Sequence, residues 1–361
     1  VPDVDIVVVA WNHERWLPAC LASLAPAAHG APALSRVVIV DNASSVPVEQ
    51  VVTPGPGTTV IRNAINKGFA AACNQGASGS RADFLLFLNP DTRLDAGALA
   101  SAVARFAPSV GIVGLRLVDP VRMTQRSCGR FPSIRTLLNQ ALGLTRVSAV
   151  SFQGIRRDEW PHDTTGPVDF VCGAALMVRR ELFERLEGFD PRFFLYLEDA
   201  DLSLRAQRIG FATVFDADAV VEHACGWDEG SHRPWRLAHS WRSMIAYARQ
   251  HLGPGAAVLV GAVVLTLGVP ARMGEAVVER SLARVRDALQ AWTMLCRMLA
   301  SDASRALGRR REDQSVRTAA AAGSPAPDQP MQSAAPRASG AAQPDSPARA
   351  TRSGPRPQLQ S

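Results

Sequence analysis

VDIVVVA, residues 4–10, is a nearly unbroken β-branched run of the kind a parallel sheet buries on both faces, and it stops at the polar break Trp11-Asn12-His13-Glu14. Apolar residues then recur at helical spacing (Trp16, Leu17, Cys20, Leu21, Leu24), so the chain opens strand, loop, helix. The unit repeats. Residues 36–40 form a second strand that ends in Asp41-Asn42-Ala43-Ser44-Ser45. Residues 59–62 form a third, followed by Asn63, Asn66, Lys67 and Gly68 and a helix through Asn74. Residues 83–88 form a fourth, ending in Asn89-Pro90-Asp91-Thr92 ahead of a helix over 95–106. This alternation predicts an α/β domain with a mostly parallel central sheet flanked by helices, whose ligands bind beyond the carboxyl ends of the strands. Asn12, Asp41, Asn66 and Asp91 all fall on that rim. No GxGxxG follows the first strand, which argues against a dinucleotide bound in the usual way.

The 361 residues suffice for one large domain with extras, and 47% hydrophobic with 20% charged residues is globular. All but one of the 39 basic residues are arginine, Lys67 being the exception, and the net charge is +6. Arginine's planar fork suits phosphate and diphosphate, and a GC-rich genome gives the same bias. No nucleic-acid module motif accompanies the charge, so nucleic acid is excluded as a partner. Six cysteines without a CxxC pair read as reduced core residues of a cytosolic protein, and Asp3 and Asp5 stand where a signal peptide would be apolar.

Further along, FFLYLEDADLSLR (193–205) takes an apolar, strand-like run straight into Glu198, Asp199 and Asp201. Acids in a first helical turn complement the macrodipole, which is one sufficient reason for them. A carboxylate fixed at a pocket rim by packed aromatics is also a good general base. Short strands are expected over 108–118, an irregular, mobile acceptor-side segment over 122–167, renewed order over 168–178, and strands at 212–215 and 219–222 that deliver His223.

Taken in order, VVVAWN (7–12), VDNASS (40–45), NKGFAAACNQG (66–76), LNPDT (88–92), GFDPRFFLYLEDADL (188–202) and VEH (221–223) resemble a family 2 glycosyltransferase of the GT-A fold, nearest its rhamnosyltransferase-like branch. The resemblance covers residues 3–230. It implies that Ala10, Trp11, Asn12 and Asp41 hold the donor's base and ribose, and that Asn66, Gly68, Asn74, Asn89 and Asp91 line the rest of the donor site. Asp91 matches the last acid of a metal-binding DxD whose first acid is Asn89 here, and His223 matches a histidine completing the metal site in some members. Asp199 matches the catalytic base, with Glu198 and Gly173 on the acceptor side. The implied cofactor is a divalent Mg or Mn ion. No QxxRW motif is present, which disfavours a processive polymerase.

Residues 231–252 are expected as a closing helix. The stretch 252–271 carries no charge, but its 14 most aliphatic helical residues reach only about 21 Å against a hydrocarbon core of about 30 Å, and glycines and prolines interrupt the longer window. A re-entrant or interfacial anchor is preferred, with a true span or a helix packed on the domain as alternatives, so 253–300 is assigned as a membrane-association segment. Val278, Leu282, Val285, Leu289, Trp292, Cys296 and Leu299 form one stripe that suits an anionic lipid surface or a homodimer seam over 278–299. Residues 301–361 are expected to be a disordered Ala/Pro/Ser/Arg-rich tail.

Together these point to an inverting, non-processive transferase acting peripherally at the cytoplasmic face of a membrane. It would move a sugar from a nucleotide-diphosphate donor, by branch dTDP-rhamnose, to a lipid-linked or cell-envelope glycan acceptor. The alternatives are a transferase for UDP-galactofuranose or a hexose, and a silent nucleotide-sugar-binding scaffold.

Overall fold

The computed structural model describes residues 2–27, 32–148, 151–157, 159–224 and 233–322; Cys225, the 230/231 boundary and the tail beyond 322 lie outside the described residues. Two compact units divide at Arg305/Ala306.

The predicted alternation is present as β1 (Asp3–Ala10), α1 (Leu17–Ala27), β2 (Ala33–Asp41), β3 (Thr58–Arg62), α2 (Phe69–Ala77), β4 (Phe84–Leu88), β5 (Thr92–Leu94) and α3 (Ala98–Ala104). Then come β6 (Val110–Val118), β7 (Cys128–Gly129), α4 (Ile134–Ala141), α5 (Leu144–Val147), β8 (Gly166–Val168), β9 (Phe170–Val171), β10 (Ala175–Arg179), α6 (Arg180–Arg185), α7 (Glu198–Arg208) and β11 (Ala212–His223). The sheet runs β3-β2-β1-β4-β10-β6-β11-β5, with β8 also on β11. Strands β3, β2, β1 and β4 are parallel, so their carboxyl ends share one edge; β10 runs against both its neighbours, and β11 is parallel to β6.

Strand alternation divides the core. Val4, Ile6 and Val8 face Leu17, Cys20 and Leu24 of α1 and Leu99 and Ala102 of α3. Val7 and Val9 face Ala70 and Cys73 of α2, Phe183 of α6 and Leu202 and Ala206 of α7. Both faces of β1 are therefore buried, which is why its sequence is continuous rather than alternating.

Several sequence expectations change. Residues 193–197 are irregular, with bends at 194–197, rather than strand, because their bulk is used against helices: Phe193 and Leu197 bury with Trp241 and Tyr247. The span 122–167 contains β7, α5 and α4, the last begun by a capping box in which Ser133 and Thr136 satisfy each other's backbone N–H. Residues 212–223 form one strand, with a register break between Asp216 and Val220, where two were expected.

C-terminal to the sheet lie α8 (Arg233–Tyr247), a π turn (Ala248–Leu252), α9 (Pro254–Val263), a second π turn (Val264–Gly268), α10 (Val269–Val278) and α11 (Leu282–Ala322). The glycines and prolines do not break this stretch as expected. Pro254 stands in the first turn of α9, where its missing N–H is not needed, and Pro270 follows a π turn that relieves its clash with the preceding turn. Residues 254–278 are thus helical for 25 residues, long and apolar enough to cross a membrane by length and composition, although a packed core helix meets the same description. Ala256, Ala257, Val260 and Val264 bury against Trp241 and Tyr247, whereas Val258, Leu259 and Leu267 are exposed. In α11 the buried face is Ala288, Ala291 and Leu295; of the expected stripe, Leu282, Leu289 and Trp292 point outward. Alanine at 288 and 291 permits close packing that the larger residues would block. The helix also continues past Ser301 to Ala322, where Ala- and Arg-rich composition favours helix without large apolar side chains.

Candidate active site

At the shared edge of the parallel strands, polar side chains are used mainly to fix loops. Ala10 is buried at the end of β1, and Trp11 beyond it packs 4.9 Å, centroid to centroid, from Trp235 of α8. Asn12 takes a left-handed φ of 58°; its N–H donates to Ser44 Oγ at 3.1 Å and its Oδ1 accepts from Ser45 N at 2.8 Å, joining the ends of β1 and β2. Asp41 has no exposed surface. Its carboxylate accepts from Ser44 N (2.8 Å), Val48 N (3.2 Å) and the Arg62 guanidinium, so it shapes the edge from beneath.

The adjacent Asn42, which sequence reasoning passed over, is the connector. It donates from Nδ2 to Asn66 Oδ1 (2.9 Å) and accepts at Oδ1 from Lys67 N (3.0 Å) and Asn63 Nδ2 (3.1 Å), tying β2 to the loop before α2. That loop in turn supports residues 193–197. A Cβ at Gly68 (φ 87°) would lie 2.6 Å from Phe194 O, and Phe69 N donates to the same oxygen at 2.7 Å. Asn74 spends its whole amide on Phe189, donating to its carbonyl at 2.7 Å and accepting from its N–H at 2.8 Å. Gly68 and Asn74 therefore position the segment that carries the acids.

Tyr196 and Leu197 then take consecutive left-handed conformations, φ 71° and 67°, an arrangement disfavoured for bulky residues and retained by surrounding contacts. Ser243 Oγ donates to Leu195 O (2.8 Å), Arg236 Nε donates to the Tyr196 hydroxyl (2.7 Å), and Leu197 packs in the cluster of Trp241 and Tyr247. The reversal delivers Glu198 and Asp199 into the first turn of α7.

The three acids have distinct surroundings. Asp199 is half-buried, and accepts at Oδ2 from Gly173 N (3.1 Å) and at Oδ1 from Ala200 N (2.8 Å). Burial raises its carboxyl above the ordinary 3.8, opposed by those N–H groups and by nearby Arg156. Glu198 is 5% exposed with Oε2 unpaired; burial first, and then the charge of Asp199, push it well above its ordinary range, so its neutral acid is favoured. Asp201 has no exposed surface and is held by Arg205 Nε (2.8 Å), Gln250 Nε2 (2.9 Å) and His251 Nε2 (2.8 Å). The i,i+4 partner Arg205 was legible in the spacing. Gln250 and His251, some fifty positions away, were not.

Asp199, Glu198 and Gly173 share the wall of a cavity of about 660 Å³ with Asn89, Arg156, Tyr196 and Arg236. Asn89 is fixed through its N–H to Ala174 O (2.9 Å), while its own carbonyl accepts from Thr92 Oγ1 (2.6 Å). Two residues on, buried Asp91 meets His223 because the antiparallel pairing of β5 with β11 sets His223 opposite Thr92. His223 Nε2 is 3.5 Å from Asp91 Oδ1. Gln125 fixes the ring: its Nε2 donates to His223 O (2.8 Å), which aims its Oε1 at His223 Nδ1 (2.8 Å). Nδ1 is then the protonated nitrogen of the neutral ring, leaving the Nε2 lone pair toward the carboxylate. A carboxylate oxygen and an imidazole nitrogen facing one another, with the imidazole oriented from behind, form a donor pair that fits a divalent cation. Among the described residues no third His, Cys, Asp or Glu joins them.

The profile described as "Glycosyltransferase like family 2" matches residues 2–251. The chain belongs to that family and is a glycosyltransferase. Among its relatives is the N-acetylglucosaminyl-diphospho-decaprenol L-rhamnosyltransferase of Mycobacterium tuberculosis, 29% identical over 270 residues that cover 69% of this chain and 85% of the relative. Another is the rhamnosyltransferase WbbL of Escherichia coli K12, 26% identical over 237 residues, 61% of this chain and 84% of the relative. Among solved structures, the mannosyltransferase PcManGT from Pyrobaculum calidifontis in complex with GDP-Man and Mn2+ is 19% identical, with a TM-score of 0.48, over 85% of this chain and 83% of that one.

Proposed function

We propose that the protein is an inverting, non-processive rhamnosyltransferase-type enzyme that uses a nucleotide-diphosphate donor, dTDP-rhamnose, and a lipid-linked saccharide acceptor at the cytoplasmic membrane face. The observation that carries this reading is the placement of half-buried Asp199, held by two backbone N–H groups, on the wall of the cavity that Asn89 also lines. The acceptor hydroxyl attacks the anomeric carbon, the bond from that carbon to the nucleoside diphosphate breaks, and the hydroxyl proton passes to Asp199. Burial makes Asp199 a stronger base than a free aspartate, and its N–H partners hold its direction before substrate arrives. Glu198, favoured as the neutral acid, leaves Asp199 as the proton acceptor. Asp91 and His223 are the residues that would hold Mg or Mn, which when bound neutralises charge on the leaving diphosphate. Ala10, Trp11, Asn12 and Asn66 lie at the edge where the donor's base and ribose would bind. The names of the two rhamnosyltransferases support the sugar and, in one case, the diphosphate-lipid acceptor.

The test is to incubate the full chain with dTDP-rhamnose, Mn and a polyprenyl-diphosphate-linked N-acetylglucosamine, and to measure dTDP release together with mass gain of the lipid. Release of dTDP without acceptor gain, or turnover only with UDP-galactofuranose or a hexose donor, would refute the assignment.

A further inference from the structure

The wall of this cavity carries more guanidinium groups than the transfer step uses. Arg146, Arg156, Arg233, Arg236, Arg272 and Arg284 line it, against the acids Glu198, Asp199, Glu275 and Asp287. One of those acids, Glu198, favours its neutral form, and Glu275 is already shared between Arg146 (2.8 Å) and Arg272 (2.9 Å). Arg284 is paired with Glu279, whereas Arg233 has no ion pair among the described residues. Two donors on this wall are also left over. Arg272 gives Nη1 to Glu275 and Nη2 to Gln140 O (2.8 Å), while its buried Nε meets no acceptor among the described residues; the indole Nε1 of Trp241, with no exposed surface, is likewise unpaired. Buried N–H groups without acceptors are rare because desolvation penalises them, and a ligand rich in acceptor oxygens would satisfy them. Beside them the lining turns apolar, with Leu237, Met244 and Ala288. These residues belong to α8 and α11, and α9 to α11 expose Val258, Leu259, Leu267 and Leu282 outside.

We propose that this wall is a subsite for a diphosphate ester of a long-chain alcohol, the acceptor's anionic linkage, with the guanidinium groups and the two leftover N–H donors on the diphosphate and the apolar lining on the first carbons of the chain. The inference deepens the proposed function and rests on its assignment of Asp199 to the acceptor hydroxyl. An acceptor held by its diphosphate on α8, α10 and α11 would present its sugar to Asp199, which lines the same cavity. Arginine suits this task because its fork makes paired, charge-assisted bonds to phosphate oxygens.

The experiment measures binding of farnesyl diphosphate, inorganic pyrophosphate and dTDP to the full chain by calorimetry, for the wild type, Arg233→Gln and Arg272→Gln. Arg272 also braces α4, so melting curves accompany it, and Arg233→Gln gives a second reading should Arg272→Gln unfold. The expected result is at least a tenfold loss of farnesyl diphosphate affinity in each folded variant with dTDP affinity unchanged within twofold. Equal losses for dTDP would assign the arginines to the leaving group and overturn the proposal, as would pyrophosphate binding as tightly as farnesyl diphosphate, or no loss at all. If wild type binds farnesyl diphosphate in this arginine-dependent way but transfers no rhamnose, the donor reading fails and the subsite stands. If it transfers rhamnose while farnesyl diphosphate neither binds nor competes, the subsite fails and the transferase reading stands.

Discussion

The backbone N–H of Gly173 donates to Oδ2 of Asp199 at 3.1 Å, across 26 positions of sequence, linking the turn before β10 to the first turn of α7. This bond fixes the orientation of the base and also favours its charged form, and in Asp199→Asn an amide oxygen can accept it in place of the carboxylate oxygen. Asp199→Asn should therefore keep the fold and nucleotide affinity while kcat falls about 10²–10⁴-fold. Pre-steady-state transfer beside dTDP calorimetry separates the two effects. A variant with near-normal kcat would remove Asp199 from the mechanism. Since burial raises the Asp199 carboxyl above 3.8, the acid limb of kcat/KM should lie at higher pH than for a free aspartate, and activity should fall as pH drops through it.

Glu198 gives a stability prediction of opposite character. Its folded pKa is raised above the ordinary 4.5, so folding favours its protonated form. That contribution is fully present below the unfolded value and is lost as pH rises through the folded one. Glu198→Gln imitates the neutral acid, so its melting temperature should exceed that of the wild type by a margin that grows from pH 4.5 upward. Parallel melts at several pH values check this; a constant margin would mean Glu198 is charged in the fold.

For Asp91 and His223 the readout is ligand-induced stabilisation. A ligand at a hundred times its Kd adds about 2.7 kcal/mol to the native state. In the wild type, Mn should increase the melting shift given by dTDP; Asp91→Asn should abolish the increment and His223→Ala should reduce it. An unchanged Mn increment in Asp91→Asn would exclude this pair as the metal ligands.

Why the parallel half of the sheet was legible and the acid-bearing loop was not has a physical basis. β1, β2 and β4 are buried on both faces, so their own composition declares them, and their loops follow by topology. FFLYL looks equally buried, but its partners are Tyr247 and Trp241 on α8 and the backbone of the loop before α2, none of which local periodicity can reveal. Asn42 was hidden for the same reason, since its partners Asn63, Asn66 and Lys67 lie across a helix-length gap. In α11, spacing alone cannot say which of two adjacent stripes packs; the small residues Ala288 and Ala291 did so, leaving Leu282 and Trp292 outside.

The apolar C-terminal helices cannot be tested simply by cutting the chain near residue 250, because that would remove His251 and the buried face of α9. Substituting exposed Leu259 and Leu267 with Gln leaves the packed face intact. If these helices bind lipid, the double variant should lose co-sedimentation with anionic vesicles while its melting temperature stays within a few degrees of wild type. Unchanged sedimentation would leave α9 as a packing helix only.

Asp201 couples that same C-terminal region to the catalytic turn. Successive helix residues turn by about 100°, so Asp201 points away from Asp199, and the structure places it inward against Arg205, Gln250 and His251. His251 Nδ1 faces Arg208 Nη1 at 3.1 Å, a contact in which the guanidinium must be the donor; in the neutral ring the proton therefore sits on Nε2 and is given to Asp201 Oδ1. Asp201 thus accepts from three side chains and fastens α7 to the π turn that leads into α9. Removing one partner of a buried charge cluster costs about 3–5 kcal/mol. Asp201→Asn should lower stability by an amount of that order, with a much smaller loss of kcat than Asp199→Asn at a temperature where both are folded. His251→Ala should reproduce the loss of stability in part. Denaturant melts with single-turnover rates on the three variants decide it: an inactive Asp201→Asn with a wild-type melting curve, beside an active Asp199→Asn, would exchange the roles of the two acids.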